Sequence, residues 1–219
     1  MNQNRKIYVV GGSEGYANWM QGVIVETMEE ADLVVFTGGE DVDPSLYGKS
    51  AHPQTFFNRE RDIDEMAEFL KAEKLKKPMI GICRGSQFLC VMAGGILVQH
   101  QRHPNWHPIE TNDGRVIMVT STHHQRQYPW VLEEGSFKVI GWCNISPYSQ
   151  GENDKDDLSG NPKTPSEELE EVEICYYPKI NALAIQSHPE IVYGRQDKDC
   201  KTYIEYVGEL LNGLINKEI

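Results

Sequence analysis

Apolar positions fall into short unbroken runs near the start of the chain and into helical spacing further on. Lys6 to Val10 (KIYVV) ends on Gly11-Gly12, and Ala31 to Phe36 (ADLVVF) ends on Thr37-Gly38-Gly39. Runs of this kind, with no polar alternation, predict strands buried on both faces, as in parallel sheets. Between them Gly15 to Gly22 can form a helix, while Val23 to Val25 reads either as a short strand or as part of a second helix entering TMEEAD. From Arg61 to Lys77 the residues Ile63, Met66, Leu70 and Leu75 recur near helical spacing, charges fill the other faces, and Pro78 closes the run. That pattern predicts an amphipathic helix packed on a sheet.

PMIGIC, Pro78 to Cys83, reads as another buried strand, and GSQFLCVMAGG as a helix ended by Gly94-Gly95. Strand, helix, strand, helix is the rhythm of α/β layering. After Ile96 the chain turns to loops containing Pro, His and Asn, with strand candidates at Val116 to Thr120, Phe137 to Trp142, Glu173 to Tyr177 and Leu183 to Gln186. Gln150 to Glu171 is polar and acidic, carries Pro162 and Pro165, and predicts a mobile surface excursion. Tyr203 to Ile215 sets Ile204, Val207, Leu211 and Leu214 on one face and predicts a closing helix that docks on the sheet. No internal repeat is visible.

The 219 residues suit one domain, read as 1–219, with a proper core. A formal charge of -12 and a pI near 5.0 argue against nucleic acid as a main partner, which needs a clustered basic surface. No stretch approaches the roughly 20 apolar residues of a membrane span, and the start lacks a signal-peptide core, so a soluble cytoplasmic protein is expected. Five cysteines, scattered and without a CxxC pair, suggest neither a disulfide framework nor a zinc knuckle.

One cysteine stands apart. Gly81-Ile82-Cys83-Arg84-Gly85 places a thiol between glycines two before and two after it, at the corner from strand to helix. Such an elbow presents a nucleophile above the sheet edge, and the start of the helix favours a thiolate. The Arg84 N–H would point at an oxyanion. The competing reading is a small buried core residue, which is the better reading of Cys90 two turns on. A cysteine nucleophile needs a base and an orienter. Ala182 to Glu190 (ALAIQSHPE) ends an apolar strand on His188, with Glu190 two residues later. Alone this reads better as a capped strand end; with the elbow it makes a triad. Thr37 to Pro44 (TGGEDVDP) could lend a second oxyanion donor or be an ordinary turn.

With these pieces in order, the chain resembles the class I glutamine amidotransferase superfamily, and most closely its γ-glutamyl hydrolase branch, peptidase family C26. The stretches that carry the resemblance are TGGEDVDPSLYG (37–48), RDIDE (61–65), PMIGICRGSQFLCVMAGGILVQ (78–99), VTSTHHQ (119–125) and ALAIQSHPE. The resemblance implies a flavodoxin-like three-layer sandwich with a mostly parallel sheet. It implies Cys83 as nucleophile, His188 as base and Glu190 as orienter, with Gly38 or Gly39 and Arg84 framing the oxyanion. The glutamyl group would sit against Gln87 and the backbone of Ser121, Thr122 and His123, with Asp43 and His123 near the pocket mouth. The chain departs from the family in a shorter entry, in Ser187 where an aromatic often precedes the histidine, and in TSTHHQ where NSYHHQ or NSFHHQ is usual.

The expected activity is cysteine-dependent hydrolysis of a γ-glutamyl amide or glutamine through a γ-glutamyl thioester. The alternatives are a glutaminase subunit feeding ammonia to a separate synthetase and a catalytically silent binding protein on the same fold. No cofactor is expected; a small γ-glutamyl molecule is the expected partner, with a synthetase or a second copy as further candidates. His100, His103 and His107 could be metal ligands, but the prolines and Trp106 around them favour a rigid loop shaping the pocket, and no metal is expected. The acidic run Glu167 to Glu173 lacks a calcium-loop pattern and reads as a solvated face.

Overall fold

The computed structural model describes residues 5–12, 14–100, 105–143 and 171–219. Its elements are β1 (Arg5–Val10), α1 (Glu14–Trp19), β2 (Gly22–Ile24), β3 (Leu33–Phe36), α2 (Arg59–Lys74), β4 (Met79–Ile82), α3 (Arg84–Met92) and β5 (Ile96–Val98). There follow β6 (Trp106–Thr111), β7 (Val116–Thr120), β8 (Arg126–Tyr128), β9 (Lys138–Cys143), β10 (Glu171–Tyr177), β11 (Ala182–Ile185), α4 (Pro189–Val192) and α5 (Lys198–Asn216). A 9-stranded sheet runs in the order β2-β1-β3-β4-β11-β10-β9-β6-β7, and β5 pairs β8 in a separate ribbon.

Strands β2, β1, β3, β4 and β11 are parallel neighbours, and the strands beyond β11 extend the sheet antiparallel. The apolar runs become β1, β3, β4 and β11 because alternate residues face opposite layers. Ile7, Val9, Leu33, Val35, Ile80 and Ile82 pack with Trp19, Tyr203, Val207 and Leu211 on one side. Val34, Phe36 and Met79 pack with Phe69, Ala72, Phe88 and Leu89 on the other. Among the described residues, no helix is long and apolar enough to cross a membrane.

Three expectations need correction. The first concerns α2, which begins two residues earlier than expected, capped by the Asn58 side chain accepting from Glu60 and Arg61 N–H. Its buried face is Asp62, Glu65, Phe69 and Ala72, while Ile63 is 59% and Leu70 61% exposed. Two acids turn inward because the Arg84 guanidinium, buried on α3, bonds both of them, and a buried cation demands partners more strongly than an apolar side chain demands cover.

The second concerns Glu171 and Glu173, which were placed on or beside a solvated face but are buried in β10. Glu171 pairs with the buried Arg126, and Glu173 lies 3.4 Å from His107. Residues 150–170, including the start of the acidic run at Glu167, lie outside the described residues. The third concerns 106–111, expected as loop. It is strand β6, with alternating burial, and Pro108 is tolerated because β6 pairs β9 only at Glu110 and Thr111. His107 is therefore a buried strand residue rather than part of a pocket-shaping loop; His103 lies outside the described residues.

Candidate active site

Three adjacent parallel strands, β3, β4 and β11, deliver their carboxyl ends to one rim of the sheet, the edge where open α/β sheets hold ligands. From them emerge Thr37-Gly38-Gly39, Cys83 and Ser187-His188. Cys83 has φ 51° and ψ -109°, a conformation non-glycine residues avoid. The glycines around it make the corner sterically attainable: a Cβ on Gly81 would run into the Gly85 carbonyl, and one on Gly85 into the Phe36 carbonyl. Cys83 N–H donates to the Ile185 carbonyl at 2.8 Å, fixing the corner to the end of β11.

His188 caps the short helix α4, and its N–H donates to Thr120 Oγ1 at 2.9 Å. Its Nδ1 lies 2.5 Å from Glu190 Oε1, which leaves Nε2 as the nitrogen on the Cys83 side; Nε2 has no hydrogen-bond partner among the described residues. Burial disfavours the charged ring, but the neighbouring Cys83 sulfur and the Glu190 carboxylate that accepts from Nδ1 outweigh it and push the pKa up to about 10. Cys90, by contrast, is fully buried, and burial pushes its thiol up to about 12; it packs, as expected.

A pocket of about 280 Å³ opens over this pair, lined by Cys83, Arg84, Gln87, Thr122, His123 and His188 among others. Gly39 lines it too. Gly38 does not face it with a free donor: its N–H donates to the Tyr16 hydroxyl at 3.0 Å. The Gly39 N–H has no partner among the described residues, and Arg84, as the first residue of α3, has no helical carbonyl to bond.

Ser121 and Asp43 are placed otherwise than expected. Ser121 is buried beside the pocket, its hydroxyl 3.4 Å from His123 Nδ1. Asp43 is buried away from the lining; it accepts from Ser45 N–H at 2.9 Å to cap a turn, and pairs with Arg59 at 2.9 Å. Ser187 opens no space in the pocket, because its hydroxyl lies 2.6 Å from that of Tyr203 on α5.

Glu40, Asp41, Phe56, His124 and Gln125 also line the pocket and had been given no role. Asp41 lies 3.2 Å from His124 Nε2, and that hydrogen bond raises the His124 pKa against burial. His124 and Gln125 could have been found from VTSTHHQ, but Phe56 and Tyr16 carry no sequence signal. Among the described residues, no group of three or more His, Cys, Asp or Glu could hold a metal ion.

The pattern of the peptidase C26 family matches residues 17–129, just over half of the chain. The protein NtpR of Enterococcus hirae is 30% identical over 123 residues, covering 45% of this chain and 52% of NtpR. A glutamine amidotransferase-like protein of Lactococcus lactis subsp. cremoris is 35% identical over 117 residues, 43% of this chain and 62% of that one. The chain thus spans about half to just under two thirds of the length of these relatives. Its fold is that of a glutamine amidotransferase from Thermotoga maritima, with a TM-score of 0.52, 15% identity and coverage of 97% and 95%. The PurLQS structure from the same organism gives a TM-score of 0.59 at 14% identity, covering 96% of this chain and 99% of that one. Spanning the GxCxG corner and the glycine loop, the family match shows that this chain belongs to peptidase C26, on the class I glutamine amidotransferase fold.

Proposed function

We propose that the chain is a cysteine-dependent hydrolase of γ-glutamyl amides. The observation that carries the reading is the left-handed Cys83 at a strand-to-helix corner, facing a histidine whose other nitrogen is held by a carboxylate. In this reading the Cys83 sulfur attacks in its thiolate form, opposite the protonated ring of His188. The thiolate attacks the γ-carbonyl carbon, and the oxyanion is met by the N–H groups of Gly39 and Arg84. The imidazolium protonates the departing amine from Nε2 as the C–N bond breaks, leaving a γ-glutamyl thioester. His188 then takes a proton from water, the hydroxide attacks the thioester, and glutamate leaves as the thiolate returns.

The glutamyl group would lie along Gln87, Thr122 and His123, while Phe56, Glu40 and Asp41 line the side toward the amine. Glutamate release from glutamine and from γ-glutamyl conjugates of small amines tests the reading, with mass-spectrometric trapping of Cys83 by a glutamine-like electrophile. Release by the wild type, and none by Cys83→Ala, is expected; equal release by both ends the proposal. A marked preference for glutamine that rises with an added synthetase would favour an ammonia-donating subunit instead.

A further inference from the structure

The run RDIDE lies in the first turns of α2 and has no task in the chemistry above. We infer that Arg61 is a positioning residue for the oxyanion site, coupled to Arg84 through Glu65; the inference rests on the hydrolase reading.

Arg61 Nη2 donates to the Gly38 carbonyl at 2.9 Å and to Thr37 Oγ1 at 3.2 Å. Its Nη1 donates to Glu40 Oε2 at 2.7 Å and its Nε to Glu65 Oε1 at 2.8 Å. One guanidinium therefore grips the loop on both sides of Gly39. In a trans planar peptide the C=O and the following N–H point in opposite directions. Holding the Gly38 oxygen thus aims the Gly39 N–H away from Arg61, and a cation on that oxygen makes the N–H a stronger donor. Gly39 has φ 145°, and a Cβ there would collide with the Arg61 guanidinium, so the loop is shaped around this side chain. Tyr16 holds the preceding N–H.

The same geometry reaches the second donor. Glu65 gives Oε1 to Arg61 and Oε2 to Arg84 Nη1, and Arg84 Nη2 bonds Asp62. Burial, then the charge of Arg61, lower the Arg84 pKa to about 10, which still leaves it charged at neutral pH. One carboxylate therefore joins the loop after β3 to the residue after Cys83. Desolvated ion pairs of this kind add little net stability, but they fix orientation. A lysine cannot reproduce a fork that serves five acceptors, the Thr37 carbonyl among them.

The test compares Arg61→Ala and Arg61→Lys in the full chain on two reactions. One is glutamate release; the other is alkylation of Cys83 by iodoacetamide, whose attack at saturated carbon builds no oxyanion. Both variants are expected to lose about a hundredfold in kcat, the scale of a lost oxyanion donor, with KM little changed and the alkylation rate and its pH profile as in wild type. Guanidinium ion in the buffer should restore part of the Arg61→Ala turnover and none of that of Arg61→Lys. Unchanged kcat in Arg61→Ala overturns the inference, as does a parallel fall of turnover and alkylation, which would mark a merely structural side chain. A wild-type chain that releases no glutamate would overturn the hydrolase reading itself; wild-type turnover with an indifferent Arg61 sinks only the positioning role.

Discussion

His188 Nδ1 and Glu190 Oε1 lie 2.5 Å apart across the first residue of α4. The contact fixes which ring nitrogen is spoken for, so the other can serve a reaction only on the side of Cys83.

The nearby Cys83 sulfur is the strongest influence raising the His188 pKa, ahead of Glu190. Cys83→Ala should therefore bring the ring down from about 10 toward the ordinary histidine value of 6.5, read by NMR titration of the imidazole. A ring that keeps its high pKa without the sulfur would separate the two side chains.

The same shift sets a pH dependence of stability. Because the folded pKa of about 10 exceeds the unfolded value of 6.5, the folded state binds more protons between them. The contribution is whole below about 6.5 and is lost as pH rises toward 10. Thermal melts should show wild type falling more steeply than His188→Gln across that window; parallel curves would contradict it.

Two glycines should respond oppositely to alanine. At Gly85 the added methyl meets the Phe36 backbone, so Gly85→Ala should cost about 2–3 kcal/mol. At Gly208, inside α5, the added methyl meets nothing within 4 Å, and Gly208→Ala should stabilise by about 0.5–1 kcal/mol. Urea unfolding of both variants checks the contrast, and a harmless Gly85→Ala would remove the steric account of the corner.

Tyr16→Phe keeps the ring and deletes the acceptor for Gly38 N–H. A cost of about 1 kcal/mol is expected, with a severalfold lower kcat and little change in KM. If both stability and turnover match wild type, the hydroxyl does not hold the loop.

The sequence made the corner legible because its signature, a buried strand, a thiol between two glycines and a helix, is local. Gly81 is demanded by the Gly85 carbonyl in the same corner, Gly85 by Phe36 at the end of the adjacent strand β3, and Cys83 takes the conformation they permit. The face of α2 was not legible in the same way. Ile63 and Leu70 satisfy helical spacing as well as Phe69 and Ala72 do, and only the presence of Arg84 decides that Asp62 and Glu65 turn inward. Likewise the sequence around Ser187 gives no sign of Tyr203, the distant residue whose hydroxyl meets it.

By itself, then, the sequence determined where strands are buried and where a thiol must stand at a turn, since apolar runs and the glycine spacing are patterns of a few neighbours. The tertiary structure alone decided which charges go inside, that Asp43 caps a turn instead of lining the pocket, and that Tyr16 and Arg61 hold the Gly38 peptide. A buried polar group is stable only beside its partner, and these partners come from distant parts of the chain.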